Sequence, residues 1–213
     1  MTVEASLKEL ITKIEEWDTK VFLSFYKSRF SESTKTVANI YSFFGNFYFW
    51  GAIWLIMAVW SFIVRDYDLV ILFSGAFNQG FIIYLIIRYK VINRNRPYIT
   101  LENEGVSKHD DYIVEDKSFP SGHVTFFLYF GFIFAFYYNS AAILIIFLIL
   151  DILMAFSRLI LGVHFPTDVL FGFLFAVLFA LLYLGWTWVY WDFFYRWLGE
   201  VFWFLSPRVW FGL

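Results

Sequence analysis

The chain has 213 residues, of which 61% are hydrophobic, 25% aromatic and 16% charged, with a formal net charge of -2 and no Cys. Soluble domains are about half apolar and about a quarter charged, so this is the composition of a membrane protein; the absence of a basic block excludes nucleic acid as a partner. Without Cys there are no disulfides, no thiol catalysis and no Cys-ligated metal.

Residues 1–40 lack the basic start, apolar core and small-residue cleavage site of a signal peptide. Leu7, Leu10, Ile11, Ile14, Trp17, Val21, Phe22 and Phe25 instead recur at three- and four-residue steps, with Lys8, Glu9, Lys13, Glu15, Glu16 and Lys20 on the other side. This predicts an amphipathic N-terminal segment lying in the membrane interface or on a bundle. Residues 43–64 are apolar and long enough to cross about 30 Å of hydrocarbon at about 1.5 Å per residue. A polar turn of Arg65, Asp66 and Asp68 leads to a second predicted span over 69–87, in which Asn78 and Gln79 are expected to bond to neighbouring helices. That span ends in R-Y-K-V-I-N-R-N-R-P-Y, which carries Arg88, Lys90, Arg94 and Arg96 ahead of Pro97. Such a cluster sets topology, or it forms an anion pocket in which Lys supplies a point charge and Arg a planar fork.

Residues 98–119 form a polar loop, predicted to lie over the site, in which His109 is expected to be solvated. The stretch F-P-S-G-H-V-T opens a third span over 124–138. Ser121 suits an N-cap, and the N–H groups after it, at the positive end of the helix, make a seat for an anion beside His123. A fourth span, 141–161, carries Asp151 and Arg158 two turns apart along one face, where Asp151 is expected to make a buried hydrogen bond or a structural pair with Arg158. The chain then runs S-R-L-I-L-G-V-H-F-P-T-D from Ser157 to Asp168 and enters a fifth span over 169–189. Pro166 suits the first helical turn, which brings Asp168 within reach of His164. A carboxylate on one imidazole nitrogen fixes the tautomer and leaves the other nitrogen free to attack. The tail, 192–213, is predicted to be interfacial. The predicted architecture is all-α: one membrane domain over 1–213, with about five spanning helices in a 43–189 core and amphipathic helices at both termini.

If the spans alternate, the basic cluster, the Ser121–His123 seat and the His164–Asp168 element share one membrane face. The chemistry that fits is phosphoryl transfer. Lys90, Arg96, Arg158 and the N–H groups around Ser121 and Gly122 are the candidates for holding the non-bridging oxygens. His164 is the candidate nucleophile and Asp168 its orienter, and His123 is the candidate general acid and base. The cationic side chains supply the charge, so neither a metal nor another cofactor is required.

R-N-R-P with Lys90 upstream, P-S-G-H at Pro120 to His123, and S-R-x5-H-x3-D at Ser157 to Asp168 resemble the three signature motifs of the type 2 phosphatidic acid phosphatase family. The first motif departs from the family pattern by one residue between Lys90 and Arg96, and Arg88 and Arg94 are alternatives for that cation. The resemblance implies a metal-independent histidine mechanism at the membrane surface, acting on a lipid phosphate or diphosphate. Undecaprenyl diphosphate, phosphatidylglycerophosphate, phosphatidic acid and the 1-phosphate of lipid A all fit, with the bilayer as the other partner. It further implies a bacterial inner-membrane location with the site facing the periplasm or outside. The basic residues between positions 8 and 35 and between 88 and 117 lie on that same side and pull toward the opposite orientation. A phosphotransferase using the same pocket, and a non-enzymatic lipid-binding or transport bundle, are the competing expectations.

Overall fold

Local chemistry sets where the helices begin. The Ser28 side chain accepts from the Ser31 N–H at 3.1 Å, and the Asn46 side chain from the Tyr48 N–H at 2.9 Å; each caps the helix that follows. Pro97 and Pro166 occupy first-turn positions, where a missing N–H costs nothing. The computed structural model describes residues 3–110 and 115–201. In chain order the helices are α1 (Val3–Tyr26), α2 (Arg29–Ser42), α3 (Phe47–Val64), α4 (Asp68–Ile86), α5 (Pro97–Thr100), α6 (Gly122–Tyr137), α7 (Ala141–Ile160), α8 (Pro166–Leu182) and α9 (Trp188–Val201). Wide turns with π-helical bonding, Ile87–Val91 and Tyr183–Thr187, extend α4 and join α8 to α9.

Among the described residues, four segments are long and apolar enough to cross a membrane: Phe47–Val64, Asp68–Val91, Ala141–Ile160 and Pro166–Glu200. The shorter apolar helix Gly122–Tyr137 stands among them. The protein is a polytopic, all-helical membrane protein, as its composition predicts.

The buried aromatics of α6 place it at the centre of the bundle. Phe130 meets Trp50 of α3 with ring centroids 4.7 Å apart and Phe73 of α4 at 4.5 Å, while Tyr129 meets Phe179 of α8 at 5.9 Å. In lipid the tails are as apolar as the side chains, so such contacts hold helices together by close packing, at about 0.5–1.5 kcal/mol per aromatic pair. Polar clamps add to this. Gln79 accepts from Trp191 Nε1 at 2.9 Å and Thr187 Oγ1 at 2.6 Å, and the Asn78 amide donates to the Tyr195 hydroxyl, seating α9 on α4.

At the N-terminus, the single amphipathic segment expected over residues 1–40 is two helices, because the Ser28 cap starts a new one. Asp18, Phe22 and Tyr26 are buried, while Leu7, Leu10, Ile11, Ile14 and Trp17 stay about half exposed. α2 packs along α7, with Ala38 against Ile160 and Leu161. At the other end, residues 192–201 continue α9; the remainder of the predicted tail, 202–213, lies outside the described residues, as do 111–114 of the polar loop.

Candidate active site

Four helix ends meet on one side of the bundle. The end of α4 brings Arg88, the residue before α5 brings Arg96, the start of α6 brings Gly122 and His123, and the turn between α7 and α8 brings His164. These side chains line a cavity of about 430 Å³, which continues between α3, α4 and α6 as a slot walled by Phe47, Trp50, Phe77, Phe81, Phe126 and Phe130. Gly45 lets the turn ahead of α3 rest on the His123 ring, since a Cβ there would lie 2.6 Å from His123 Cδ2. Gly162 adopts φ 73, the left-handed conformation that turns the chain out of α7 toward His164.

His164 is buried, with Arg96 Nη1 3.2 Å from its Nε2. Guanidinium nitrogens only donate, so Nε2 must present its lone pair and the ring proton must sit on Nδ1. Nδ1 faces Asp168 Oδ2 at 3.7 Å, an approach longer than a hydrogen bond. Burial, reinforced by Arg96, Arg158 and Arg88, holds the His164 imidazole well below its ordinary pKa, which leaves it neutral. Asp168 is anchored behind the ring, accepting from the Phe165 N–H at 2.8 Å and from Arg94 Nη1 at 3.0 Å. Arg96 also donates to the Val163 carbonyl at 3.0 Å and the Glu115 carbonyl at 2.7 Å. Burial, with Arg88 and Arg158 nearby, brings its pKa down to about 10, which still leaves it cationic at neutral pH.

Two expectations about cations need correction. Lys90 is exposed and does not line the cavity; Arg88, two residues earlier, is buried there. Two residues are about 200° of helical rotation, so only one of the two can face inward, and Tyr84 fixes which. Arg88 Nη1 donates to the Tyr84 hydroxyl at 2.6 Å, four residues back on the same face, and Nε donates to Glu115 at 2.8 Å. Arg158, for its part, is fully buried outside the cavity lining, donating to Ser42 Oγ at 2.6 Å and to Asp110. Asp151 is not its partner. Seven residues are about 10.5 Å along a helix, and Arg158 reaches toward α2 and the loop instead. Both Asp151 oxygens are buried with no hydrogen-bond partner among the described residues.

The seat at the start of α6 forms with a difference. Ser121 takes the N-cap position, but its hydroxyl makes no cap bond and is buried without a partner among the described residues. His123 Nε2 is likewise buried and unpartnered. His109, expected to be solvated, is half-buried between Ser107 Oγ at 3.0 Å and the Tyr26 hydroxyl at 3.2 Å. Among the described residues, no three His, Cys, Asp or Glu side chains cluster so as to hold a metal ion. Sequence reasoning missed Tyr84, Glu115, Asp110 and Asp18. Tyr84, one turn before Arg88, had a readable spacing signal; the others are brought in by the fold.

A profile of the PAP2 superfamily matches residues 68–193. The chain belongs to the PAP2 superfamily. Among PAP2 relatives, the bacitracin transport permease protein BcrC of Bacillus licheniformis is 32% identical over 121 residues, covering 52% of this chain and 57% of that protein. The chain thus spans little more than half the length of that relative. The crystal structure of Aquifex aeolicus LpxE superposes with a TM-score of 0.63 at 21% identity, covering 78% of this chain and 94% of that one. That of the first transmembrane PAP2 type phosphatidylglycerolphosphate phosphatase from Bacillus subtilis gives 0.59 at 20%, covering 81% and 85%. At such identities the likeness is one of fold. In this PAP2 chain, all the cavity-lining cations and both cavity histidines fall within the matched residues.

Proposed function

We propose that this PAP2 superfamily member is a lipid phosphate phosphatase working through a phosphohistidine. The observation that carries the reading is the convergence of His123, His164, Arg88 and Arg96 on one cavity that continues into an aromatic slot between the spans. A phosphate seated there accepts from Arg88, Arg96 and the N–H groups at the start of α6, and Ser121 Oγ is a further donor. Its oxygens take over the Arg96 donor, which frees the Nε2 lone pair of His164.

Nε2 then attacks phosphorus in line, and the bond from phosphorus to the lipid oxygen breaks as the new P–N bond forms. With the substrate phosphate's negative charge beside it, His123 takes up a proton and gives it to the departing oxygen, and Asp168 steadies the Nδ1–H of His164 as the ring gains positive charge. In the second step neutral His123 takes a proton from water, the hydroxide attacks the phosphohistidine, and phosphate leaves with His164 restored.

The slot and the membrane spans support a lipid as the leaving group. The substrate we propose is a bacterial envelope lipid: lipid A 1-phosphate, undecaprenyl diphosphate, phosphatidylglycerophosphate or phosphatidic acid. The proposed location is the inner membrane with the cavity toward the periplasm. The test is phosphate release by detergent-purified protein in EDTA, offered that panel. Wild type is expected to turn over at least one of these lipids and His164→Ala none; equal release by both would overturn the assignment.

A further inference from the structure

Asp18 lies on α1, outside the residues that carry the family match, yet its carboxylate is fully buried against the start of α8. It accepts from the Thr167 backbone N–H at 2.9 Å, from Thr167 Oγ1, and from Arg94 Nη2. An acid at a helix N-terminus explains the first two bonds. It does not explain the third. Arg94 spans two carboxylates with its two terminal nitrogens, Nη2 on Asp18 and Nη1 on Asp168 Oδ1 at 3.0 Å, with Thr167 Oγ1 accepting from Nη1 at 2.7 Å. Its guanidinium also lies 4.0 Å over the ring of Phe165, the residue next to His164. A planar fork held at one prong fixes the direction of the other.

We propose that Asp18 is a positioning residue for His164, acting through Arg94 and Asp168. The chain of contacts begins on the N-terminal helix and ends at the nucleophile's ring: Asp18 sets the Arg94 plane, and Arg94 draws on one oxygen of Asp168. That holds the other oxygen toward Nδ1 of His164, and the Nδ1–H tautomer is the one that leaves Nε2 free to attack. The helix carrying Asp18 exposes Leu10, Ile14 and Trp17 on its other side, so what seats this helix also sets the ring. The inference rests on reading His164 as the nucleophile.

The test is chosen to separate the two. The chain has only three histidines, so 15N-labelled imidazole resonances of the full-length protein in detergent are assignable by single His→Gln variants. In wild type, residue 164 is expected to show a protonated Nδ1 and an unprotonated Nε2. In Asp18→Asn the amide cannot satisfy all three donors and Arg94 loses its anchor; with Arg96 alone left to set the ring, the two nitrogen shifts are expected to move part of the way toward an average of both tautomers. On any lipid phosphate that wild type hydrolyses, kcat is expected to fall about tenfold to a hundredfold with KM changed less than about threefold, as for other partners that orient a functional histidine. Should Asp18→Asn not fold, Arg94→Lys breaks the fork from its other end and is expected to give the same two changes. Folded variants with wild-type nitrogen shifts and wild-type kcat would reduce Asp18 to a cap on α8 and overturn the proposal. A wild type that hydrolyses none of the lipids would instead overturn the phosphatase reading, while the shifts still report on Asp18.

Discussion

The two histidines of the cavity stand in different surroundings. His164 is braced: Arg96 bonds one nitrogen at 3.2 Å, Asp168 faces the other at 3.7 Å, and Arg94 and the Phe165 N–H hold Asp168 in turn. His123 has Gly45 packed on its ring; its Nε2, like Nδ1 of His164, has no hydrogen-bond partner among the described residues, so the difference lies in the guanidinium that holds Nε2 of His164. A nucleophile needs one tautomer and one direction, whereas a group that gives and takes a proton within one turnover must not be locked in either state. The contrast is in keeping with the proposed roles, His164 as nucleophile and His123 as proton carrier.

Removing the braced ring should have the largest effect. His164→Ala is expected to lose about a thousandfold or more in kcat on every lipid phosphate, because the covalent route disappears with it. His123→Ala is expected to lose about a hundredfold to ten-thousandfold on a lipid alcohol leaving group. The loss should shrink on an aryl phosphate, whose leaving oxygen needs no proton. An equal loss on both substrates would break the comparison.

Next in size is the arginine pocket. Asp110→Asn leaves Arg158 buried without its carboxylate, and about 3–5 kcal/mol of stability should be lost, read as a lower melting temperature in detergent. Arg88→Ala should cost about tenfold to a hundredfold in kcat/KM, the worth of one or two charge-assisted bonds, while exposed Lys90→Ala stays within about twofold.

The smallest effect is on pH dependence. His164 is held below its ordinary pKa of 6.5, so it is neutral at pH 7, the state the proposed attack requires, and the acid limb of kcat/KM should lie below 6.5. The stability sign follows the same direction. As pH falls below 6.5 the unfolded chain takes up a proton that the folded ring refuses, so stability falls with it until the depressed native pKa is passed. An acid limb above 6.5 in the free enzyme would contradict the buried, cation-flanked setting.

Much of this could be read from the chain itself. Apolar runs of spanning length and a parity argument placed the basic cluster, Ser121 to His123 and His164 to Asp168 on one face, because helix length and alternation are local properties. What escaped depends on helical phase or on partners distant in sequence. Arg88 rather than Lys90 faces inward because Tyr84 and the Lys117 carbonyl receive its guanidinium. Arg158 finds Asp110, 48 residues away, instead of Asp151 on its own helix. Asp18 looked like one more charge on the polar side of an amphipathic helix, and only the docking of α1 on α8 reveals its burial.

The covalent step is the claim on which the rest depends, and stereochemistry at phosphorus tests it most directly. A substrate made chiral at its terminal phosphate with oxygen isotopes and sulfur, hydrolysed by the wild-type protein, is predicted to release product with retained configuration, the result of two successive in-line displacements through His164. Inverted configuration would mean that water attacks the lipid phosphate in a single step and that no phosphohistidine forms.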